Sequence, residues 1–183
     1  MLAMFKFEWN RLLHSKSMWI ACIMAAAIII LDFVECMRIF NQNTERSLYY
    51  SWLGVNSEFY TGRYLFMTLP ILTSLGYSWS ACHDRISGYI NQIITRTSRF
   101  KYFFVKFIVS FISGGVVFAG ALILHIMMLA TMYPNSEPVP GDLNSFMDSF
   151  RFCSDLFYTN TYLFVLIWLL TAFVWGGAMA GIS

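Results

Sequence analysis

Long runs of apolar residues dominate the chain, and four of them are long enough to cross a lipid bilayer. They cover residues 17–36, 63–82, 103–132 and 161–183. A transmembrane helix needs about 20 consecutive, mostly apolar residues. The pattern therefore predicts an all-α fold: a polytopic helical membrane protein with about four transmembrane helices.

The N-terminal segment, residues 1–16, has a different pattern. Leu2, Phe5 and Trp9 fall on one helical face, while Lys6 falls on another. This spacing is typical of an amphipathic helix that lies in the membrane interface with a tryptophan anchor. The alternative is a frayed cytoplasmic tail, and we expect the interfacial helix because it runs almost directly into the first span.

A second amphipathic pattern lies in the loop between the second and third spans, residues 84–102. Ile86, Ile90, Ile93 and Ile94 recur at i, i+4, i+7 and i+8, which predicts a short helix with an isoleucine face. Polar residues follow and predict a turn before the third span. Two interpretations remain open, because the isoleucine face can rest among lipid headgroups or dock a soluble partner.

Composition supports a membrane location. Hydrophobic residues make up 58% of the 183 residues and charged residues 12%. An ordinary soluble domain is about 45–50% apolar. A core of this size cannot hide the excess without leaving large exposed patches, so lipid must solvate much of the chain.

The positions of the basic residues predict the orientation. Lysine and arginine concentrate in cytoplasmic segments near membrane spans. Here they concentrate in two regions, the N-terminal segment and the 84–102 loop with the start of the third span: Lys6, Arg11, Lys16, Arg85, Arg96, Arg99, Lys101 and Lys106. We therefore expect a multi-pass protein of the cell membrane with this loop and both termini in the cytoplasm.

Motifs for nucleotide binding and hydrolysis are absent from the sequence. There is no G-x-x-x-x-G-K-[ST], no H-E-x-x-H and no G-x-S-x-G. The cysteines lack zinc-finger spacing, and the three histidines are scattered. We therefore expect no catalytic residue, cofactor or metal in this chain, and an intramembrane enzyme is the least favoured class.

Three polar residues within the predicted spans are candidates for a substrate path. Asp32 and Glu35 share a face near the outer end of the first span, and Arg38 continues that face. His125 lies toward the outer end of the third span. Ionisable residues inside membranes often contact a substrate or ion. The alternatives are an interfacial charge cluster for the carboxylates and a hydrogen-bonded packing role for the histidine.

Small residues mark the third and fourth spans. Gly114, Gly115 and Gly120 lie in the third, and Gly177 and Gly181 form a G-x-x-x-G pattern in the fourth. Small residues let helix backbones approach closely. Between these spans, apolar residues at helical spacing predict a short helix over about 143–150, and the alternative is an irregular loop.

Two stretches resemble a known family. Residues 7–20, "FEWNRLLHSKSMWI", are similar to the opening of type-two ABC export permeases, where an interfacial elbow helix ends in a basic-serine-basic turn. Residues 84–106, "DRISGYINQIITRTSRFKYFFVK", resemble the first cytoplasmic loop of that family. There an acidic residue precedes a glycine, an apolar helix, an arginine pair and a lysine that enters the third span.

The resemblance implies that this loop holds a coupling helix that docks on a separate ATP-binding cassette ATPase subunit. The docking residues that it implies are Asp84, Ile86, Gly88, Tyr89, Ile90, Ile93, Arg96 and Arg99. It also implies a second permease chain, as a homo- or heterodimer, in the lipid bilayer, and no nucleic-acid partner. The family usually has six spans, so the expectation is a permease truncated after four.

The resemblance thus implies the permease subunit of an ATP-driven exporter that moves a hydrophobic or amphipathic substrate. The alternative is a non-transport membrane scaffold or immunity protein, which would bind a partner without ATP. Capture of an ATPase by the loop around Gly88 separates the two.

Overall fold

The structure is a computed structural model, and almost all of the chain that it describes is helical. It describes residues 2–40, 47–52, 60–77, 79–88, 90, 98–133, 137–138, 141–143 and 148–182. No β-strand occurs within these residues. The all-α prediction is confirmed.

The described helices are numbered in chain order. They are α1 (Leu2–Leu13), α2 (Lys16–Phe40), α3 (Leu48–Ser51), α4 (Tyr60–Tyr77), α5 (Trp79–Ile86), α6 (Arg99–Ala130), α7 (Arg151–Thr159) and α8 (Thr161–Ile182). The helix predicted for residues 1–16 corresponds to α1. The helical conformation is interrupted at His14 and Ser15 before α2 begins.

Three helices are long and apolar enough to cross a membrane within the described part of the chain. They are Lys16–Arg38 of α2, Arg99–Ala130 of α6 and Thr161–Ile182 of α8. Their positions agree with the first, third and fourth predicted spans. The chain is therefore a multi-pass helical membrane protein.

The second predicted span, residues 63–82, is divided between two helices. Its apolar part is Tyr64–Tyr77 in α4, which is shorter than the other three spans. The remainder belongs to α5, which ends with His83, Asp84, Arg85 and Ile86. The helix becomes polar here because α5 contributes to a buried ion cluster described below.

Contacts group the chain into two compact units. The first contains Met1–Met24, Leu69–Phe118 and Phe173–Ser183, and the second contains Ala25–Thr68 and Ala119–Ala172.

The first unit has an apolar core at the end of α1. Leu12 of α1, Tyr77 of α4, and Val105 and Val109 of α6 are buried together. Half-buried side chains of α1 and α2 pack against them: Met4, Phe5, Trp9 and Met18. The apolar face predicted for the N-terminal helix thus packs on the protein itself.

Close packing of α6 on α8 also belongs to the first unit, and glycines permit it. A Cβ atom on Gly114 would lie 2.5 Å from the carbonyl oxygen of Gly176, and one on Gly177 would lie 2.7 Å from that of Phe111. Ser110 Oγ donates a hydrogen bond of 2.7 Å to the Ala180 carbonyl. The predicted packing role of these glycines is confirmed, and their partners lie within the same chain.

The second unit is held by polar contacts among buried residues. Trp52 Nε1 donates a hydrogen bond of 3.2 Å to the Leu122 carbonyl. Ser51 Oγ and Tyr133 Oη lie 3.2 Å apart. Phe157 of α7 is fully buried. The helix α7 was not predicted, and residues 144–147 of the predicted 143–150 helix lie outside the described residues.

Candidate functional site

A lysine about two turns from the start of α6 lies between two buried carboxylates. Lys106 Nζ is 2.6 Å from Asp84 Oδ2 and 3.2 Å from Glu8 Oε2. Glu8 and Asp84 are each 1% exposed, and Lys106 is 5% exposed. Three separate segments, α1, α5 and α6, therefore meet at one ammonium group.

Arginine completes the charge balance. Arg11 Nη1 lies 2.7 Å from Asp84 Oδ1. The two acids and two bases, Glu8, Arg11, Asp84 and Lys106, are called the ion cluster below. Its formal charges cancel, which matters because an uncompensated buried charge costs several kcal/mol.

Two tyrosines satisfy further lone pairs of the carboxylates. Tyr102 Oη donates a hydrogen bond of 2.7 Å to Asp84 Oδ2, and Tyr77 Oη donates one to Glu8. Lys106 also donates a hydrogen bond to Ser80 Oγ. Both oxygens of Asp84 thus accept hydrogen bonds, and the bonds from Lys106 and Arg11 are charge-assisted. A buried carboxylate is stable only when it is paired in this way.

Aromatic rings shield the lysine. Lys106 Nζ lies 5.1 Å from the ring centroid of Tyr77 and 5.8 Å from that of Tyr102. A cation within about 6 Å of an aromatic ring is attracted by the electrons of its face. The same two tyrosines thus hydrogen-bond the carboxylates and contact the ammonium group.

The local sequence explains how each element reaches the ion cluster. Glu8 and Arg11 are three residues apart on α1, and Tyr102 and Lys106 are four apart on α6. Residues at these spacings lie on one helix face. Each helix therefore presents two polar side chains beside its buried apolar residues.

Asp84 stays ionised in this environment. Burial by itself raises the pKa of Asp84, but the hydrogen bonds from Lys106, Tyr102 and Arg11 outweigh it and hold the pKa below the ordinary value. The opposite effects act on Arg11: burial lowers its pKa, and the contact with Asp84 raises it by more. Both groups are fully charged at neutral pH, so the contact is an ion pair.

A cavity opens beside Arg11. Its volume is about 320 Å³, and its lining is rich in histidine and serine: Arg11, His14, Ser15, Ser17, Tyr77, Ser80 and His83. Arg11 is accordingly 32% exposed, while Asp84 behind it is buried. The ion cluster is thus accessible from one side, through Arg11.

The predicted docking loop begins at the ion cluster. Asp84 lies in the last turn of α5, and the chain turns at Ser87 and Gly88. The structure corrects the start of the predicted coupling helix: Ile86 ends α5, because a turn with Gly88 at φ +71° interrupts the helix there. This positive φ favours glycine.

The docking residues are placed unequally. Ile86 is 78% exposed, Ile90 is half-buried and Arg99 is exposed at the start of α6. Asp84 is buried in the ion cluster and is unavailable for direct docking in this conformation. Tyr89, Ile93 and Arg96 lie outside the described residues.

The predicted substrate-path residues differ in how deeply they are buried. Asp32 and His125 are both fully buried in the second unit, with Asp32 Oδ2 3.2 Å from His125 Nε2. Glu35 is half-buried and Arg38 is exposed. Asp32 is therefore not part of an exposed interfacial charge cluster with Arg38.

Several members of the ion cluster escaped the sequence analysis. Arg11 and Lys106 were interpreted as basic residues that set the orientation, and Glu8 and Tyr77 were not singled out. One signal was present, because a lone glutamate on an otherwise basic, membrane-bound helix needs a cationic partner.

Comparison with known proteins gives one result. The family model described as "ABC-2 family transporter protein" matches residues 4–183. No curated protein and no solved structure matches the chain significantly. The match covers most of α1, the ion cluster, the predicted docking loop and all of the long helices.

Proposed function

The chain belongs to the ABC-2 transporter family, and from that premise we propose that it couples ATP hydrolysis in a partner subunit to the export of a hydrophobic or amphipathic substrate. Members of this family are membrane components of ABC transporters. The proposal assigns the ATPase to a separate subunit. Export, the substrate class and a second permease chain are parts of the proposal.

The observation that carries the proposal is the connection between Asp84 and the exposed loop. Ile86, at the end of α5, is an exposed apolar side chain two residues after an aspartate that is held by three donors. A docking element must be fixed to the spans if a movement of the ATPase is to reach them. The ion cluster supplies this connection, because it joins α5 to α1 and α6.

The exposed part of the loop suits a protein partner. Ile86, Gly88 and Ile90 offer a small apolar surface beside a turn, with Arg99 exposed at the start of α6. Interfaces of this kind place apolar anchors at the centre and charges at the rim. Tyr89, Ile93 and Arg96 complete the docking surface in the proposal.

Affinity purification of the tagged chain from its own cells in mild detergent tests the proposal. We expect an ATPase to copurify, and Ile86→Asp to reduce its yield by about tenfold or more, because an interface hot spot is worth about 2 kcal/mol. The matched control is Phe152→Asp, which changes a similarly exposed apolar residue, 75% against 78%, on α7. Phe152→Asp should leave the yield unchanged.

The opposite result has a clear meaning. If both variants insert in the membrane and Ile86→Asp retains the ATPase at the wild-type level, Ile86 does not dock it. If no ATPase copurifies with the wild-type chain, the scaffold or immunity interpretation is favoured over transport.

A further inference from the structure

Three side chains with different metal-ligand chemistry meet in the second unit. They are Asp32 and Cys36 of α2 and His125 of α6, and their ligand atoms all lie within 4.8 Å of one another. Asp32 and His125 are 0% exposed and Cys36 is 1% exposed. This group is called the Asp–Cys–His cluster.

We propose that the Asp–Cys–His cluster binds a divalent transition-metal ion, with Zn²⁺ as the physiological ligand. Tetrahedral zinc with bonds of about 2.0–2.3 Å separates its ligand atoms by about 3.3–3.7 Å. The pair Asp32 Oδ2 and His125 Nε2, at 3.2 Å, already has nearly this separation. The Cys36 thiol lies within 4.8 Å of both atoms, so it has to approach them by at most about 1 Å.

Charge balance favours this occupant. One carboxylate, one thiolate and a neutral imidazole neutralise a divalent ion. A neutral site can be buried at far lower cost than a charged one. Binding releases the thiol proton of Cys36 to solvent as the metal–sulfur bond forms, so the affinity rises with pH.

The donor set also selects the class of ion. Thiolate and imidazole ligands suit Zn²⁺, whereas Mg²⁺ and Ca²⁺ require oxygen ligands. Asp32 and Cys36 are one helical turn apart and His125 comes from a second helix. This is how bundles of helices build internal metal sites. Three protein ligands leave the fourth tetrahedral position for water.

The cluster has a defined position before metal binding. Cys36 Sγ donates a weak hydrogen bond of 3.9 Å to the Ser51 carbonyl at the end of α3. Metal binding therefore replaces the hydrogen bond from Cys36 to Ser51 with a bond from Cys36 to the metal, and the metal links α2 to α6. The inference concerns this site alone and does not depend on the proposed transport function.

Co²⁺ titration of the purified full-length chain in nanodiscs tests the site, because Co²⁺ replaces Zn²⁺ and reports on thiolate ligands by absorption. We expect one equivalent of Co²⁺ to produce a thiolate-to-cobalt charge-transfer band that Zn²⁺ abolishes. Cys36→Ala and His125→Ala should weaken Co²⁺ binding at least about tenfold, as removal of a ligand does. Cys153→Ala, a cysteine of α7, should bind like the wild type.

A fourth variant separates metal ligation from packing. Asp is close to Cys in volume and is itself a zinc ligand, so Cys36→Asp should keep Zn²⁺ binding but lose the charge-transfer band. Zn²⁺ should therefore raise its thermal unfolding midpoint, whereas Cys36→Ala should show no such shift. The proposal is overturned if Co²⁺ gives no thiolate band, or if Cys36→Ala binds as the wild type does.

Discussion

Lys106 and Asp84 form a buried ion pair, with 2.6 Å between Nζ and Oδ2, at the point where α6 begins and the predicted docking loop leaves α5. The pair joins residues on either side of that loop. Its strength therefore decides how firmly the loop is held to the spans.

Replacing Lys106 with methionine should destabilise the protein strongly. The change leaves Glu8 and Asp84 buried without their shared cation, and breaking a buried pair costs about 3–5 kcal/mol. Thermal unfolding in detergent measures the effect. Lys101→Met, which removes an exposed lysine of the same helix, is the matched control and should change stability little. Equal stability of the two variants would show that the pair contributes nothing.

Stability should depend on pH through Asp84. Its pKa is lowered in the folded protein, so it contributes stability above its ordinary pKa and loses that contribution as the pH falls through the folded value. We therefore expect unfolding midpoints that are flat near neutrality and fall below about pH 4. Asp84→Asn should be less stable at pH 7 and should have a shallower acid slope. An unchanged slope in Asp84→Asn would exclude this role.

Two glycines of α6 should respond oppositely to alanine. A Cβ atom at Gly114 would collide with the Gly176 carbonyl at 2.5 Å, whereas one at Gly120 meets nothing within 4 Å. Gly114→Ala should force α6 and α8 apart and lower the unfolding midpoint. Gly120→Ala should raise stability by about 0.5–1 kcal/mol, because alanine favours a helix. Similar behaviour of the two variants would contradict the close packing at Gly114.

Substitutions at Gly88 distinguish backbone conformation from close contact with a partner. Its φ is +71°, and a Cβ atom there meets nothing within 4 Å in this chain. If conformation alone matters, Gly88→Asn should keep ATPase copurification and Gly88→Val should reduce it, because asparagine tolerates positive φ and β-branched residues do not. Loss with both variants indicates that an ATPase backbone approaches the glycine itself.

The predicted orientation can be measured with single cysteines in a background without the four native ones. Ser98 is exposed just before α6, and Ser149 is exposed just before α7. In intact cells, an impermeant thiol reagent should label Ser149→Cys and spare Ser98→Cys, because basic residues keep the loop around Ser98 in the cytoplasm. The reverse labelling pattern would place the loop outside.

The sequence was most informative where a pattern is local. Apolar length alone located α2, α6 and α8 to within a few residues, and the small residues of α6 and α8 predicted close helix packing without identifying the partner. Both signals come from residues within one helix, so no knowledge of the tertiary structure was needed.

Contacts between distant segments could not be predicted in this way. Asp84 was expected at the exposed start of a coupling helix, and it is buried because Arg11 and Lys106 reach it from other segments. Asp32 and His125 were named separately, but nothing in their spacing showed that they meet. The isoleucine spacing continues past Ile86 without interruption, so it could not show that α5 ends there. The end of the helix is visible only in the structure, where Gly88 has a positive φ.

The order in which the ion cluster is synthesised has a consequence for the biogenesis of the protein. Glu8 leaves the ribosome before its cation, Lys106, which is made 98 residues later. At about 5–20 residues per second the interval is about 5–20 seconds. Glu8 has to stay hydrated during that time, so α1 waits at the water-facing side of the membrane. Its docking is then a late step that completes only after α6 has been inserted.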